Sequence, residues 1–409
     1  MPLTAMRAPA FRWFFLARAL QMITAAMSSV AFAFAVLSVD NAPLALSIVM
    51  TSLTASTVVF LLLGGVVADR LPRALVIQTC YVVNALTVGV TAAMLFTGTA
   101  SVVSLAATAV IAGATSAFIM PSMQGIIPQL VPHDALQQAN AMLSFVRSLV
   151  TIGGPVIAGL VVALSSPAWA FVIEGIGLVA AIPLLAMVRL PPPARSSTDL
   201  FTDLRVGWGE FRSRTWLWVI VVAFGLLNAL EIGAWSVGGP FIAKNDPLLG
   251  VQGWGWVLGA LGAGTLVTTL VLMWLPLSRP LRFGMIGMVA VALPMLLLGI
   301  HPAVIPLMVA AFVAGAGLEV FSTGWSVAMM ENVPGEVLSR VSSYDMLGSY
   351  LAMPLGTMLF GWLLTAGDPA TVITASGIIY AVIAVLTLCV PSVWRMGRTI
   401  RDAERGPTA

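Results

Sequence analysis

Charge is what this chain lacks. Only 9% of its 409 residues are Asp, Glu, Lys or Arg, while 59% are hydrophobic and the mean hydropathy is +1.02. A water-soluble domain does not have that composition, so soluble catalytic and nucleic-acid-binding classes are excluded. Cysteine is nearly absent as well. Cys80 and Cys389 both fall inside apolar runs with no CxxC spacing, which argues against a disulfide framework or a thiolate metal site. The two histidines, His133 and His301, have no partner at metal-ligand spacing, so no metal is expected. No Walker A, HExxH or nucleophile-elbow motif is present. The glycines of "GALGAG" at 259–264 lie inside an apolar stretch with no preceding strand and read as close helix packing. Neither an enzyme nor a cofactor-binding protein is indicated.

What the chain has is long apolar runs. About 20 apolar residues cross the hydrocarbon as a helix, because the absence of water forces backbone groups to pair internally. A barrel would show short alternating segments, and these runs are continuous. Breaks at Pro, Gly and charged residues divide the chain into twelve runs, at 11–37, 43–68, 74–97, 102–127, 136–164, 168–189, 216–243, 251–275, 281–300, 303–330, 337–366 and 370–392. The first is too long for a signal-peptide core and has no small-residue cleavage pattern, so it reads as a retained span. The one long polar connection contains "PPPARSSTDL". The predicted organisation is a helical bundle over 1–190, a cytoplasmic linker over 191–215, a second bundle over 216–394 and a basic tail over 395–409.

The few charges are placed unevenly. With a cytoplasmic N-terminus, the even-numbered connections hold Arg70, Arg73, Arg189, Arg195, Arg205, Arg212, Arg214, Arg279, Arg282 and Arg340, and the opposite side holds only Lys244. That asymmetry predicts a multi-pass inner-membrane protein with both termini in the cytoplasm. The halves also repeat. A shift of 202 residues aligns "VPHDAL" at 131 with "VPGEVL" at 333, Gly113 with Gly315, Gly154 with Gly356 and Gly159 with Gly361. Parallel six-span repeats suit a transporter whose site lies between two rocking halves.

The densest charge cluster, Gly65-x-x-x-Asp69-Arg70-x-x-Arg73, falls at the cytoplasmic end of span two. In that loop it resembles the signature of the major facilitator superfamily, and twelve spans, the repeat and the long middle loop extend the resemblance over the whole chain. The implied fold is all-α, twelve transmembrane helices in two pseudo-symmetric six-helix bundles. Within the superfamily, "FRWFFLARAL" and "LVPHDALQQANAMLSFVRSLVTIGGP" resemble the macrolide- and siderophore-exporter branch. The resemblance implies a cytoplasmic gate of Gly65, Asp69, Arg70 and Arg73, with Asp69 docking on the N-terminus of span eleven or on Arg340, and Arg70 and Arg73 near Glu331 or Glu336. A carboxylate is favoured at a helix N-terminus by the free N–H groups there. The family's further basic residue is missing, since Ala74 follows Arg73, and the matching loop "LPLSRPLR" has no Asp. Gly154 and Pro155 resemble the antiporter Gly-Pro motif of span five, where Pro155 is expected to kink the helix. Span four lacks the arginine common in proton-coupled drug exporters of the family.

Arg18, Arg147, Glu174, Glu231, Glu319 and Asp345 lie within predicted spans. Ionisable groups are costly in lipid, so they should face protein or a wet cavity. Their polar neighbours recur at helical spacing: Asn140, Ser144, Arg147 and Thr151; Asn228, Glu231 and Trp235; Glu319, Ser322, Thr323 and Ser326; Ser342, Asp345 and Ser349. In the superfamily, spans one, four, seven and ten line the cavity, so the resemblance favours Arg18, Glu231 and Glu319, and the predicted pathway comprises Glu231, Glu319, Asp345, Arg18, Arg147, Asn228, Trp235 and Trp325. Glu231 and Glu319 are the expected carriers of protons or cationic substrate groups, and Trp235 and Trp325 the expected ligand-stacking aromatics. For Arg18, Arg147 and Asp345 a static ion pair is an equal alternative.

The expected function is proton-coupled export of a small amphipathic molecule (a drug, secondary metabolite or siderophore) by alternating access, with the proton gradient as energy source. The alternatives are a lipid or lysolipid flippase of the same fold and a transport-inactive receptor or assembly factor. The expected partners are the substrate and the bilayer, with no nucleic acid, and the chain is expected to be a monomer.

Overall fold

In the computed structural model, residues 4–132, 135–188, 208–209, 211–275, 277–333 and 335–396 are described. The side chains of Gly65, Asp69, Arg70 and Arg340 lie outside the described residues, as do 189–190, most of the predicted linker, at 191–207 and 210, and most of the tail, at 397–409.

Twelve helices long and apolar enough to cross a bilayer form among the described residues, each at a predicted run. The first six are α1 (Pro9–Val39), α2 (Pro43–Arg70), α3 (Arg73–Thr97), α4 (Val102–Leu130), α5 (Leu136–Leu164) and α6 (Pro167–Ala186). The second six are α7 (Thr215–Asn245), α8 (Gly250–Leu272), α9 (Pro280–Ile300), α10 (Val304–Asn332), α11 (Gly335–Ala366) and α12 (Pro369–Leu388). The ends follow local chemistry. Pro9, Pro43, Pro167, Pro280 and Pro369 stand in the first turn of their helices, where a missing N–H costs nothing. Ser101 and Ser104 form a reciprocal cap on α4, and Gly98 closes α3 in the left-handed region at φ 68°.

Two helices are interrupted. α9 breaks at Val291 into Pro280–Ala290 and Ala292–Ile300, and Pro294 has no N–H for the carbonyl of Ala290. In α7, Glu231–Val237 widens into a π-helical turn between α-helical Thr215–Leu230 and Gly238–Asn245. Pro240 follows closely and cannot donate to the carbonyl of Ser236. Pro155 and Pro354 lie inside the continuous helices α5 and α11.

The chain divides into two compact units, Met1–Ser197 with Val251–Gly259, and Thr198–Gly250 with Ala260–Ala409. In the first, α2 packs on α4 and α6 packs between α1 and α3. A core of Phe11, Phe14, Ile77, Tyr81, Ile126 and Leu178 fills the space among them. In the second, α9 packs on α10 and α12, and α7 on α11 and α12.

Glycine sets the closest approaches, since a bilayer offers no hydrophobic drive between helices and backbone proximity must supply the packing. The repeat noted in sequence recurs in these contacts. Gly113 of α4 faces the backbone of Leu53 on α2, and Gly315 of α10 faces the backbone of Leu261 on α8. Gly154 of α5 lies on Ala26 of α1, and Gly356 of α11 lies on Ala229 of α7.

Candidate functional site

The second unit contains a cavity of about 300 Å³ between α7, α10 and α11. Its position follows from small residues. Gly225 of α7 approaches the backbone of Gly348 on α11, and Gly348 in turn takes the side chain of Val221. This close contact brings Asn228 within reach of α11, where its Nδ2 donates to the backbone oxygen of Ser349 at 3.2 Å. On the other side, Gly317 and Gly324 of α10 meet the backbones of Gly287 and Pro280 of α9. Packed tightly on that face, α10 supplies Phe321 and Trp325 to the cavity, one helical turn apart.

Aromatic rings form the apolar wall. Phe224 of α7 stacks on Phe321 with centroids 4.1 Å apart and planes at 23°. Phe321 and Trp325 are nearly parallel at 15° and 6.1 Å. Trp216 meets Trp325 edge-on at 5.6 Å and 69°. The polar end is built around Asp345. Trp325 Nε1 donates to Asp345 Oδ2 at 3.0 Å, and the Ser349 hydroxyl lies beside the same carboxylate. Met346 and Met353 add adaptable thioether surface. The site thus offers stacked π faces, one amide and one oriented carboxylate. That set suits an amphipathic ligand with a flat apolar part and a cationic or hydrogen-bond-donating part.

Of the residues predicted from sequence, Asn228, Trp325 and Asp345 meet in this cavity. Glu231, Trp235 and Glu319 do not line it. Glu231 opens the π-helical turn of α7, Trp235 is buried within that turn, and Thr323 Oγ1 donates to Glu319 Oε1 at 3.2 Å on α10. In the first unit, Arg18 Nη1 donates to Gln21 Oε1 at 2.6 Å, and the Tyr81 hydroxyl reaches the same oxygen at 3.4 Å. Arg147 is exposed, and its Nη2 donates to Ser144 Oγ at 3.0 Å. Glu174 of α6 sits against Ser28 of α1. Of the predicted gate, the side chains of Gly65, Asp69, Arg70 and Arg340 lie outside the described residues. Arg73 is half-buried at the start of α3.

Sequence reasoning missed Phe224, Phe321 and Tyr350 as lining residues. A signal for two of them was present: Phe224 precedes Asn228, and Phe321 precedes Trp325, by the four residues that put side chains on one helix face. Aromatics at that spacing are common in any apolar helix, so the pattern alone did not single them out.

Residues 1–400 match the family described as transmembrane secretion effectors. The chain belongs to this family of major facilitator transporters. The enterobactin exporter EntS of Shigella dysenteriae serotype 1 (strain Sd197) is 25% identical over 406 residues, covering 93% of this chain and 92% of that protein. EntS of Escherichia coli O139:H28 (strain E24377A / ETEC) is 25% identical over 405 residues, with the same coverage. Among solved structures, the nucleoside transporter NupG matches with a TM-score of 0.74 at 18% identity, over 95% of this chain and 99% of NupG. A bacterial homologue of the iron transporter ferroportin, in its inward-facing state, matches at 0.70 and 16%, over 93% and 98%. At those identities the structural likeness shows the fold alone. Family and relatives are transporters and not enzymes, so this transmembrane secretion effector is a multi-pass membrane protein that acts as a secondary transporter.

Proposed function

We propose that this chain exports a small amphipathic organic molecule, of the drug, secondary-metabolite or siderophore class, by proton antiport with alternating access. The observation that carries the reading is the cavity of the second unit, where Phe224, Phe321 and Trp325 present stacked rings and Asp345 presents an oriented carboxylate. Stacked aromatics bind the apolar body of such a molecule, and the acid gives one end of it an orientation. The similarity to enterobactin exporters supports export over uptake.

In this reading Glu231 and Glu319 carry protons, Asp345, Asn228 and Trp325 hold the substrate, and Arg18 and Arg147 belong to the pathway of the first half. Asp69, with Arg70, Arg73 and Arg340, closes the cytoplasmic side, and Gly154 and Pro155 shape α5. Both termini lie in the cytoplasm, consistent with the arginine-rich even-numbered connections. The protein works as a monomer in the inner membrane.

The test is dissipation of a pH gradient in proteoliposomes on addition of amphipathic compounds, enterobactin among them. Wild type is compared with Glu231→Gln, Glu319→Gln and Asp345→Asn. Compound-dependent proton release that disappears in a glutamine variant supports antiport and identifies its carrier. If labelled compounds or lipids cross with no proton movement, antiport is wrong and the protein is a facilitator or flippase.

A further inference from the structure

α12 contributes one titratable group to the interior of the second unit, Tyr380, and its environment is unusual. The side chain is fully buried, at 0% exposure, and its hydroxyl has no hydrogen-bond partner among the described residues. A buried hydroxyl left unpaired loses its hydration without compensation, and phenylalanine would fill the same space without that cost. The oxygen therefore calls for a partner that this arrangement does not engage.

Helix register identifies the partner. Gly238 of α7 lies against Ile373 of α12, whose Cδ1 would stand 2.7 Å from a Cβ built on that glycine. α7 and α12 are odd- and even-numbered spans, so they run in opposite directions. Seven residues back from Gly238 is Glu231, and seven residues on from Ile373 is Tyr380. The two residues therefore stand at one level of the α7–α12 contact. Glu231 is also the first residue of the π-helical turn, and shifting the one extra residue of such a turn rotates its neighbours by about 100° around the helix. A side chain at that point changes direction with little displacement of the helix ends.

Among the described residues, no other titratable group of the helices packed on α7 stands at this level. α11 runs parallel to α7, with Gly348 on Val221, Gly356 on Ala229 and Phe360 on Gly233. Its described ionisable residues, Tyr344, Asp345 and Tyr350, all precede Leu351 and so stand on the cytoplasmic side of the Glu231 level. Lys244 lies at the far end of α7, and Glu319 of α10 is bonded by Thr323.

We propose that Tyr380 is a positioning residue for Glu231, its hydroxyl donating to the Glu231 carboxyl when that side chain turns toward α12. The inference rests on the reading of Glu231 as proton carrier and deepens it. Tyr380 gives the acid a defined resting place inside the protein, away from the cavity that holds substrate.

The experiment is infrared difference spectroscopy of the full-length protein in lipid nanodiscs, titrated from acid to alkaline pH. Glu231→Gln assigns the carboxyl bands, and Tyr380→Phe, which keeps the ring and its packing, removes only the donor. The expected result is a Glu231 band that titrates in wild type and is displaced in Tyr380→Phe, the protonated C=O stretch moving to higher wavenumber. A displaced band that does not titrate keeps the pair and removes Glu231 as carrier. A titrating band at the same position in both proteins overturns the pair and leaves the carrier. A band that neither moves nor titrates overturns both.

Discussion

The indole of Trp325 on α10 donates to the carboxylate of Asp345 on α11 at 3.0 Å, and so joins the aromatic wall of the cavity to the only acid that lines it among the described residues. The same indole stacks along Phe321 and meets Trp216 edge-on, so its N–H is aimed by packing on both sides. A hydrogen bond to a charged group contributes about 1.5–3 kcal/mol, or roughly a 10- to 100-fold change in an equilibrium.

Trp325→Phe keeps the ring stack and removes the donor. Affinity for an exported compound should fall roughly tenfold or more, and Asp345→Asn should lose a similar amount. If the bond matters as a pair, the double variant loses less than the sum of the two. Binding titrations on the four proteins check this, and strict additivity would count against the pair.

Gly153 and Gly154 are neighbours in α5 with opposite surroundings. A Cβ on Gly153 meets nothing within 4 Å, whereas one on Gly154 would stand 2.5 Å from Ala26 Cβ on α1. Gly153→Ala should be neutral or stabilising, since alanine favours the helix by about 0.5–1 kcal/mol. Gly154→Ala should destabilise by about 1–3 kcal/mol through overpacking. Thermal unfolding in detergent distinguishes the two, and equal melting temperatures would contradict the contact.

Asp368 caps α12 from outside the membrane spans. Its Oδ2 accepts from the Thr371 backbone N–H at 2.9 Å and from the Thr371 hydroxyl at 2.7 Å. The Thr371 hydroxyl bond, followed by the backbone one, holds the carboxyl below its ordinary value. A lowered folded pKa means that the cap stabilises above the unfolded pKa, and its contribution fades as pH falls through the folded one. Asp368→Ala should therefore lower the melting temperature at neutral pH, with a gap from wild type that closes in strong acid. A gap independent of pH would exclude the cap as its origin.

Asp69→Asn should slow transport while leaving expression and membrane insertion unchanged, because the gate reading asks the carboxylate to close the cytoplasmic side and not to hold the fold. Initial rates in vesicles, normalised to protein present, measure this. A wild-type rate would remove Asp69 from the gate.

The spans and the family were legible in one dimension. Whether a stretch crosses the bilayer depends on the polarity of about 20 consecutive residues, and the Gly65–Arg73 cluster and the 202-residue repeat need no coordinates. Helical period also placed Asn228 and Asp345 on polar stripes. Which stripes converge was not legible. Asn228 and Glu231 lie three residues apart on one predicted face, yet Asn228 lines the cavity while Glu231 does not and instead opens the π-helical turn of α7. Phe224 and Phe321 resemble any other apolar residue until the two helices bring them to 4.1 Å. Nothing in the sequence marks Tyr380, whose hydroxyl is buried with no hydrogen-bond partner among the described residues. Hydropathy is a local sum, which the sequence by itself determined. The rotation of each helix about its own axis depends on which glycine meets which backbone across the bundle, and only the tertiary structure decided that.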